Sequence, residues 1–202
     1  MTDTTKLLAR RALQHNPSAQ AAFLASLGVD VAGMAYARKL SLFCDPAVPA
    51  ASHAQRPPIA RLFDQLQPAA TPTLCLVPPG VADAGATRGG LTIHVLPAFD
   101  QDTHECLLWC CDFNFIHGAD AHTPARAQAA GRPFIWHAGE AGQPAAFLER
   151  YSAALPPHAA DTLRAASAAW NNDGDNYRAL AACLAGPVNR TLTLHAQQLA
   201  SS

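Results

Sequence analysis

The sequence is poor in charge, and this limits what the protein can bind. Asp, Glu, Lys and Arg make up 14% of its 202 residues, whereas an average soluble domain has about a quarter. Lys and Arg number 14 against 15 Asp and Glu, so the formal net charge is −1. The chain therefore lacks the positive surface by which proteins bind nucleic acid or anionic membranes, and we expect neither as a partner. A local site for one small phosphate ligand is still compatible with this composition.

The chain also lacks a long uninterrupted apolar run. The most apolar early segment, 21–37, is interrupted by Asp30 and followed by Arg38 and Lys39, which makes it too short and too polar to span a bilayer. The basic residues near Met1 have no apolar stretch directly behind them, unlike those of a signal peptide. We therefore expect a cytoplasmic protein.

No Cys-x-x-Cys pair occurs among the six cysteines, which are Cys44, Cys75, Cys106, Cys110, Cys111 and Cys183. Most of them lie inside apolar runs, which is typical of reduced cysteines in a core. A metal site could be assembled from Cys106, Cys110 and the nearby His104, but the spacing does not match that of known zinc sites. We expect no metal and no cofactor.

Short apolar runs alternate with segments of helical periodicity. Most of the runs are bounded by Gly, Pro or Asp, as is typical of parallel strands buried on both faces. They predict strands at 38–44, 73–77, 91–96, 113–117 and 133–136, and helical spacing predicts helices at 58–66, 103–111 and 125–130. This alternation indicates an α/β fold with a Rossmann-like parallel sheet flanked by helices.

The two ends of the chain are predicted to be helical. We expect a helical lead-in at 1–36, the Rossmann-like domain at 37–150, and a helical C-terminal segment at 151–202 that packs on the same domain. The C-terminal helices are predicted at 146–151, 159–170, 176–184 and 191–199, with Gly186 and Pro187 separating the last two. Residues 78–90 are rich in Gly and Pro and show no period, so they predict a loop.

The junction after the fourth predicted strand has features of an anion site. The strand ends at His117 and runs into Gly118, Ala119 and Asp120, and Thr123 followed by Pro124 predicts a helix with Thr123 as N-cap. The free amides of such a first turn favour a phosphate, and a glycine lets the backbone approach it. An ordinary strand–helix junction, with Asp120 capping the helix, explains the same residues.

Further residues around this junction carry a family resemblance. The stretch 106–137 reads Cys-Leu-Leu-Trp-Cys-Cys-Asp-Phe-Asn-Phe, then His-Gly-Ala-Asp, then Arg-Ala-Gln-Ala-Ala-Gly-Arg-Pro-Phe-Ile-Trp-His. Upstream, Ala22-Phe23-Leu24, Leu27-Gly28 and residues 40–44 fit the same pattern. This combination, over roughly residues 20–150, resembles the C-terminal domain of EarP, the elongation factor P arginine rhamnosyltransferase family.

The resemblance implies one half of a GT-B glycosyltransferase, which has two facing Rossmann-like domains. It implies an inverting, metal-independent transfer of rhamnose from TDP-β-L-rhamnose to an arginine of elongation factor P. This chain would be the nucleotide-sugar-binding half. We expect it to lack the family's N-terminal domain, which holds the acceptor and the catalytic aspartates. Elongation factor P would then be a partner only together with an acceptor-binding domain, and this chain alone would be inactive.

The resemblance also implies which residues hold the donor. Gln101 matches the glutamine that contacts the thymine, Phe43 an aromatic residue beside the diphosphate and sugar, and His104 a ring-stacking phenylalanine. In the diphosphate loop, Gly118 and Asp120 match the family, and His117 replaces its arginine. The family's catalytic glutamate is Ala119 here, so no catalytic residue is assigned.

Each of these residues also has an ordinary structural explanation. Gln101 could be an exposed residue at a helix start, Phe43 a packing residue and His117 a partly buried residue at a strand end. Arg126 could face a phosphate or serve structure alone. The alternative function is therefore a degenerate, non-catalytic relative that binds a nucleotide or a protein partner, an interpretation that Ala119 favours.

Overall fold

The computed structural model describes residues 3–31, 38–44, 63–64, 71–79, 87–117, 122–137, 144–171 and 177–201. Within these residues, the strands form one sheet in the order β3-β4-β2-β1-β5-β6. Their bounds are β1 Arg38–Cys44, β2 Thr73–Val77, β3 Thr87–Arg88, β4 Leu91–Val95, β5 Phe113–His117 and β6 Phe134–His137. The strands β1, β2, β4, β5 and β6 pair in parallel, and β3 alone is antiparallel to its neighbour.

The Rossmann-like α/β fold is therefore confirmed. The predicted strands lie within one residue of the observed ones at each end, because buried parallel strands appear in a sequence as continuous apolar runs. All five residues of β2 are buried. One prediction is wrong in part: the predicted loop 78–90 contains β3, which forms a hairpin with β4. Gly89, at a φ of 58°, makes the tight turn between them.

The helices surround this sheet. Their bounds are α1 Asp3–His15, α2 Pro17–Ser26, α3 Gln101–Cys110, α4 Thr123–Ala129, α5 Pro144–Ser152, α6 Pro157–Trp170, α7 Tyr177–Cys183 and α8 Gly186–Ala200. The predicted boundary between the last two helices needs correction. Gly186 and Pro187 begin α8 rather than separate it from α7, because proline is favoured in a first helical turn. Of the helix predicted at 58–66, only residues 63–64 are described, and they are helical.

Aromatic side chains join the C-terminal helices to the sheet. On β5, Phe115 lies 4.8 Å, between ring centroids, from Trp170 of α6. On β6, Phe134 lies 5.5 Å from Phe147 and 5.2 Å from Tyr151, both on α5. Tilted pairs at these distances add to the free energy gained by burial. The helices that follow β6 therefore share their core with the sheet.

A buried polar pair links the neighbouring strands β1 and β5 to α3. The Ser41 hydroxyl of β1 donates to Oδ1 of Asn114 on β5 at 2.5 Å. Nδ2 of Asn114 donates to the Leu108 carbonyl at 3.2 Å. That carbonyl lies in the last turn of α3, where helices leave acceptors without an intrahelical partner. One amide therefore satisfies polar groups on three elements, and Ser41 and Asn114 are fully buried.

We expect Asn114→Ala to lower the free energy of unfolding by about 2–4 kcal/mol, because it opens a cavity and leaves buried polar groups without partners. Urea denaturation followed by circular dichroism measures this change. Ser41→Ala removes a single hydrogen bond from the same cluster and should cost about 1 kcal/mol. If Asn114→Ala cost no more than Ser41→Ala, the linking role of Asn114 would be contradicted.

Candidate functional site

The sheet changes its direction of winding between β1 and β5. From β1 the chain proceeds to β2 and then to β4 on one side, and the next parallel strands, β5 and β6, lie on the other side. In open α/β sheets, ligands bind at such a switch point, outside the carboxyl ends of the strands. The two carboxyl ends meet here, because Cys44 pairs with His117. This edge of the sheet is therefore the candidate ligand site.

Two of the sequence-predicted residues meet at the switch point. Phe43 is the penultimate residue of β1 and pairs with Ile116, so its backbone lies diagonally next to that of His117. His117 also pairs with His137, the last residue of β6. Gly118, Ala119 and Asp120 lie outside the described residues, so their predicted roles stay predictions.

The helix after this junction begins one residue earlier than the sequence predicted. Thr123 is the first residue of α4 and His122 occupies the N-cap position, where no side-chain capping bond is formed. Thr123 is therefore not the N-cap, and Pro124 is the second helical residue, where its missing N–H costs no helical bond.

The other two predicted residues lie on α3, which connects β4 to β5. Gln101 is exposed and is the first residue of this helix, and it follows the segment that leaves the carboxyl end of β4. Because the carboxyl ends of parallel strands share one edge, the first turn of α3 lies on the same edge as the switch point. His104 is only 8% exposed, so little of its side chain is available to a ligand.

A charged N-cap fixes the first turn of α3. An oxygen of Asp100 accepts from the backbone N–H of Thr103 at 2.8 Å. This backbone hydrogen bond lowers the pKa of the Asp100 carboxyl below its ordinary value. The cap is therefore fully charged at neutral pH, and its stabilising effect is lost only as the pH falls through that lowered pKa.

Sequence reasoning missed a cluster of charges beside this turn. Asp102 and Glu105 on α3 face Lys6 and Arg10 on α1, and Arg126 of α4 approaches the same Glu105. Asp102 and Glu105 are 3 residues apart, and Lys6 and Arg10 are 4 residues apart, so each pair lies on one face of its helix. This spacing is the sequence signal that could have indicated an acidic face on α3 and a basic face on α1.

The cysteines have a structural role in the described part of the chain. Cys75, Cys106, Cys110, Cys111 and Cys183 are free thiols, as predicted. Burial raises the pKa of Cys110 and of Cys183 to about 12, which leaves them protonated and unreactive at neutral pH. The described residues contain no group of three or more side chains placed to hold a metal ion.

A cavity of about 550 Å³ does not coincide with the switch point. It is lined by Arg11, Gln14, His15, Trp109, Ala129, Gln197, Ala200 and Ser201. Trp109 and Ala129 belong to the last turns of the crossover helices α3 and α4, which end at the amino edge of the sheet. The cavity is therefore at the opposite edge from the predicted donor residues.

The fold and the switch point define a Rossmann-like α/β protein. A family model described as the elongation factor P (EF-P) rhamnosyltransferase EarP matches residues 1–201. The chain belongs to the EarP family.

Curated relatives and a solved structure agree with this membership. A protein-arginine rhamnosyltransferase of Pseudomonas aeruginosa is 39% identical over 188 residues, covering 82% of this chain and 46% of that protein. One of Pseudomonas putida is 36% identical over 191 residues, covering 84% of this chain and 47% of that protein. The chain thus spans about half the length of the curated relatives it matches.

The similar solved structure comes from work on the structural basis for EarP-mediated arginine glycosylation of translation elongation factor EF-P. It superposes with a TM-score of 0.76 at 32% identity and covers 100% of this chain and 66% of that chain. Across the described ranges, every helix is too short or too polar to cross a bilayer.

The N-cap residue Asp100 allows a test of what orders the first turn of α3, which begins at Gln101. We expect Asp100→Ala to speed amide hydrogen exchange at Thr103 and in the turn that follows by several-fold, because the Thr103 N–H loses its acceptor. Exchange followed by NMR measures this. Asp100→Asn keeps an acceptor oxygen without the charge and should retain most of the protection. Equal exchange in Asp100→Ala and the wild type would show that the cap does not order the turn.

Proposed function

We propose that this chain is the donor-binding half of a protein-arginine rhamnosyltransferase, which holds TDP-β-L-rhamnose for inverting transfer to an arginine of elongation factor P. The observation that carries the proposal is the meeting of β1 and β5 at the switch point in a chain of the EarP family. Phe43 pairs with Ile116 and His117 pairs with Cys44, so the two residues lie one register step apart there, and the resemblance assigns both to the donor.

The proposal includes a division of the chain. The lead-in 1–36 precedes a nucleotide-sugar-binding domain at 37–150, and the helical segment 151–202 packs on that domain. The contacts of Trp170 with Phe115 and of Tyr151 with Phe134 support the last point, because they place C-terminal aromatics on the strands of the sheet. This domain is one of the two Rossmann-like halves of a GT-B enzyme.

Transfer requires an arginine nitrogen to attack the anomeric carbon of rhamnose while the bond from that carbon to the diphosphate oxygen breaks. TDP leaves with the bonding electron pair, and the arginine loses a proton to a base. In this reaction the present chain binds the donor, orients the sugar and stabilises the departing diphosphate, while the acceptor-binding half holds the arginine. The base belongs to the acceptor-binding half, because the family's glutamate position is Ala119, whose side chain cannot accept a proton.

One observation favours a second candidate function. Ala119 replaces the only loop carboxylate to which the resemblance gives a catalytic role. A non-catalytic relative that binds a nucleotide or a protein partner would need no such group. This candidate retains the fold and the switch point but predicts no transfer to elongation factor P, even when an acceptor-binding half is supplied.

Donor binding is tested by titrating the chain with TDP-β-L-rhamnose and with TDP, by calorimetry and by thermal melting. We expect saturable heat and a raised Tm, because a ligand at a hundredfold excess over its Kd stabilises the folded state by about 2.7 kcal/mol. ADP, which shares the diphosphate but not the thymine, is the control ligand and should bind more weakly. Absence of heat and of a melting shift at millimolar TDP and TDP-β-L-rhamnose would contradict the donor-binding role.

The residue at the carboxyl end of β5 offers a test of the diphosphate position. We expect His117→Arg to tighten TDP binding about tenfold, because a guanidinium is always charged and donates in pairs to phosphate oxygens. His158→Arg adds the same charge on α6, where residue 158 is exposed, and should change the affinity little. An unchanged or lower affinity in His117→Arg would place residue 117 outside the phosphate site.

A further inference from the structure

We propose that the cavity at the amino edge of the sheet is a second ligand site, which binds a small organic anion through its carboxylate or phosphate oxygens. The cavity has a volume of about 550 Å³, which is within the range of small-molecule sites. It lies at the opposite edge from the switch point, so this inference does not depend on the proposed function.

The cavity is formed where four helices end. Its lining residues belong to the last two turns of α1, α3, α4 and α8, together with Ser201, which is the C-cap of α8. The ends of α1 and α8 close on one turn of the backbone, because a side chain in place of Gly131 would put its Cβ 2.8 Å from Nε2 of Gln14 and 3.3 Å from Cβ of Ala200. Tight packing at this turn therefore fixes the two helix ends that face each other across the cavity.

The lining of the cavity offers hydrogen-bond donors and no carboxylate. Its polar residues are Arg11, Gln14, His15, Trp109, Gln197 and Ser201. The side chain of Arg11 forms no hydrogen bond or ion pair with another described residue, whereas that of the preceding Arg10 lies 2.6 Å from Glu105. The Arg11 guanidinium is therefore available to an anion, to which it presents paired donors.

The indole of Trp109 adds a second unused donor. Trp109 is only 9% exposed and lines the cavity. No described residue accepts a hydrogen bond from its indole N–H, and this group is not sealed in the core, unlike the indole N–H of Trp170. A buried indole N–H usually has a hydrogen-bond partner. An oxygen of a ligand in the cavity would supply that partner.

Basic side chains offset the partial negative charge that helix C-termini bring to this edge. An Nη atom of Arg132 donates to the carbonyl of Gln14 at 2.6 Å, and its Nε donates to that of Trp109 at 3.4 Å. The carboxylate of Asp112 lies 3.5 Å from Nζ of Lys39 and 3.9 Å from an Nη atom of Arg132, so two bases share one acid. This surplus of positive charge, in a chain whose net charge is −1, favours an anionic ligand over a cation.

The test is a titration with inorganic phosphate and with citrate, followed by the NMR signal of the Trp109 indole N–H. We expect a saturable shift at millimolar concentrations of at least one of the two anions, because its oxygens accept from the indole and from the guanidinium. The indole signal of Trp170, which lies outside the cavity, is the internal reference. Saturation by phosphate alone supports a phosphate ester as the ligand, and saturation by citrate alone supports a carboxylate. A shift with neither anion, or the same shift with sodium chloride at equal ionic strength, would overturn the proposal.

Two variants change the cavity by different means. Arg11→Gln removes the free guanidinium and should weaken anion binding at least about tenfold, because hydrogen bonds to charged groups are stronger than neutral ones. Ala129→Leu places a larger side chain at an exposed position of the lining without a change of charge, and it should weaken binding by occupying the cavity. It also keeps the proposal testable if Arg11→Gln fails to fold.

The matched control is Arg190→Gln, which removes the same charge from an exposed position on α8. Residue 190 lies about 10 Å along the helix from Gln197, and its replacement should leave the affinity unchanged. Equal weakening in Arg190→Gln and Arg11→Gln would show a general effect of charge and would overturn the site. Unchanged binding in both Arg11→Gln and Ala129→Leu would overturn it as well. Failure of TDP to bind would contradict the proposed function alone, because the Trp109 signal reports on the amino edge.

Discussion

The parallel pairing of β1 with β5 is the constraint on which the rest of the structure depends. It brings the first strand of the sheet next to the fourth parallel strand, and so it creates the switch point where Cys44 and His117 pair. The Asn114 amide reinforces this pairing, because it bonds to Ser41 across the strands and to α3 above them. At the amino end, an oxygen of Asp112 accepts from the backbone N–H of Lys39 at 2.8 Å and continues the same link. The switch point at the carboxyl edge is a consequence of this pairing.

The sheet could be predicted from the sequence because burial on both faces leaves a simple signal. A strand such as β2 is a mostly apolar, fully buried run between breakers, whereas β3 is two residues long and has no period to detect. The residues of the site were harder to find. Phe43, Gln101 and His104 have no distinguishing spacing of their own, and the resemblance to a family singled them out. Neither the sequence pattern nor the resemblance indicated the Arg10–Glu105 pair, because the two residues are separated by 95 positions in the sequence and each belongs to an ordinary amphipathic helix.

Charged residues are rare in this chain, so the places where they cluster are informative. Only 14% of the residues are charged, yet the described part of the chain brings Lys6, Arg10, Asp102, Glu105 and Arg126 together where α1, α3 and α4 face one another. Exposed ion pairs contribute little to stability, and burying them removes favourable hydration. The cluster is therefore better explained by its effect on how the helices are positioned than by its effect on the free energy of unfolding. Alternating positive and negative groups fix the relative positions of three helices more specifically than apolar contacts alone.

The sheet and the helices therefore position different parts of the candidate site. Backbone hydrogen bonds in the sheet fix the backbones of Phe43 and His117. The helices α3 and α4 contact the sheet through β1 and β6, respectively. An N-cap at Asp100 holds the first turn of α3, and Glu105 in the next turn forms ion pairs with Arg10 and Arg126. Because Ala119 has no carboxylate side chain, the role proposed for this chain is to hold and orient the donor rather than to accept a proton.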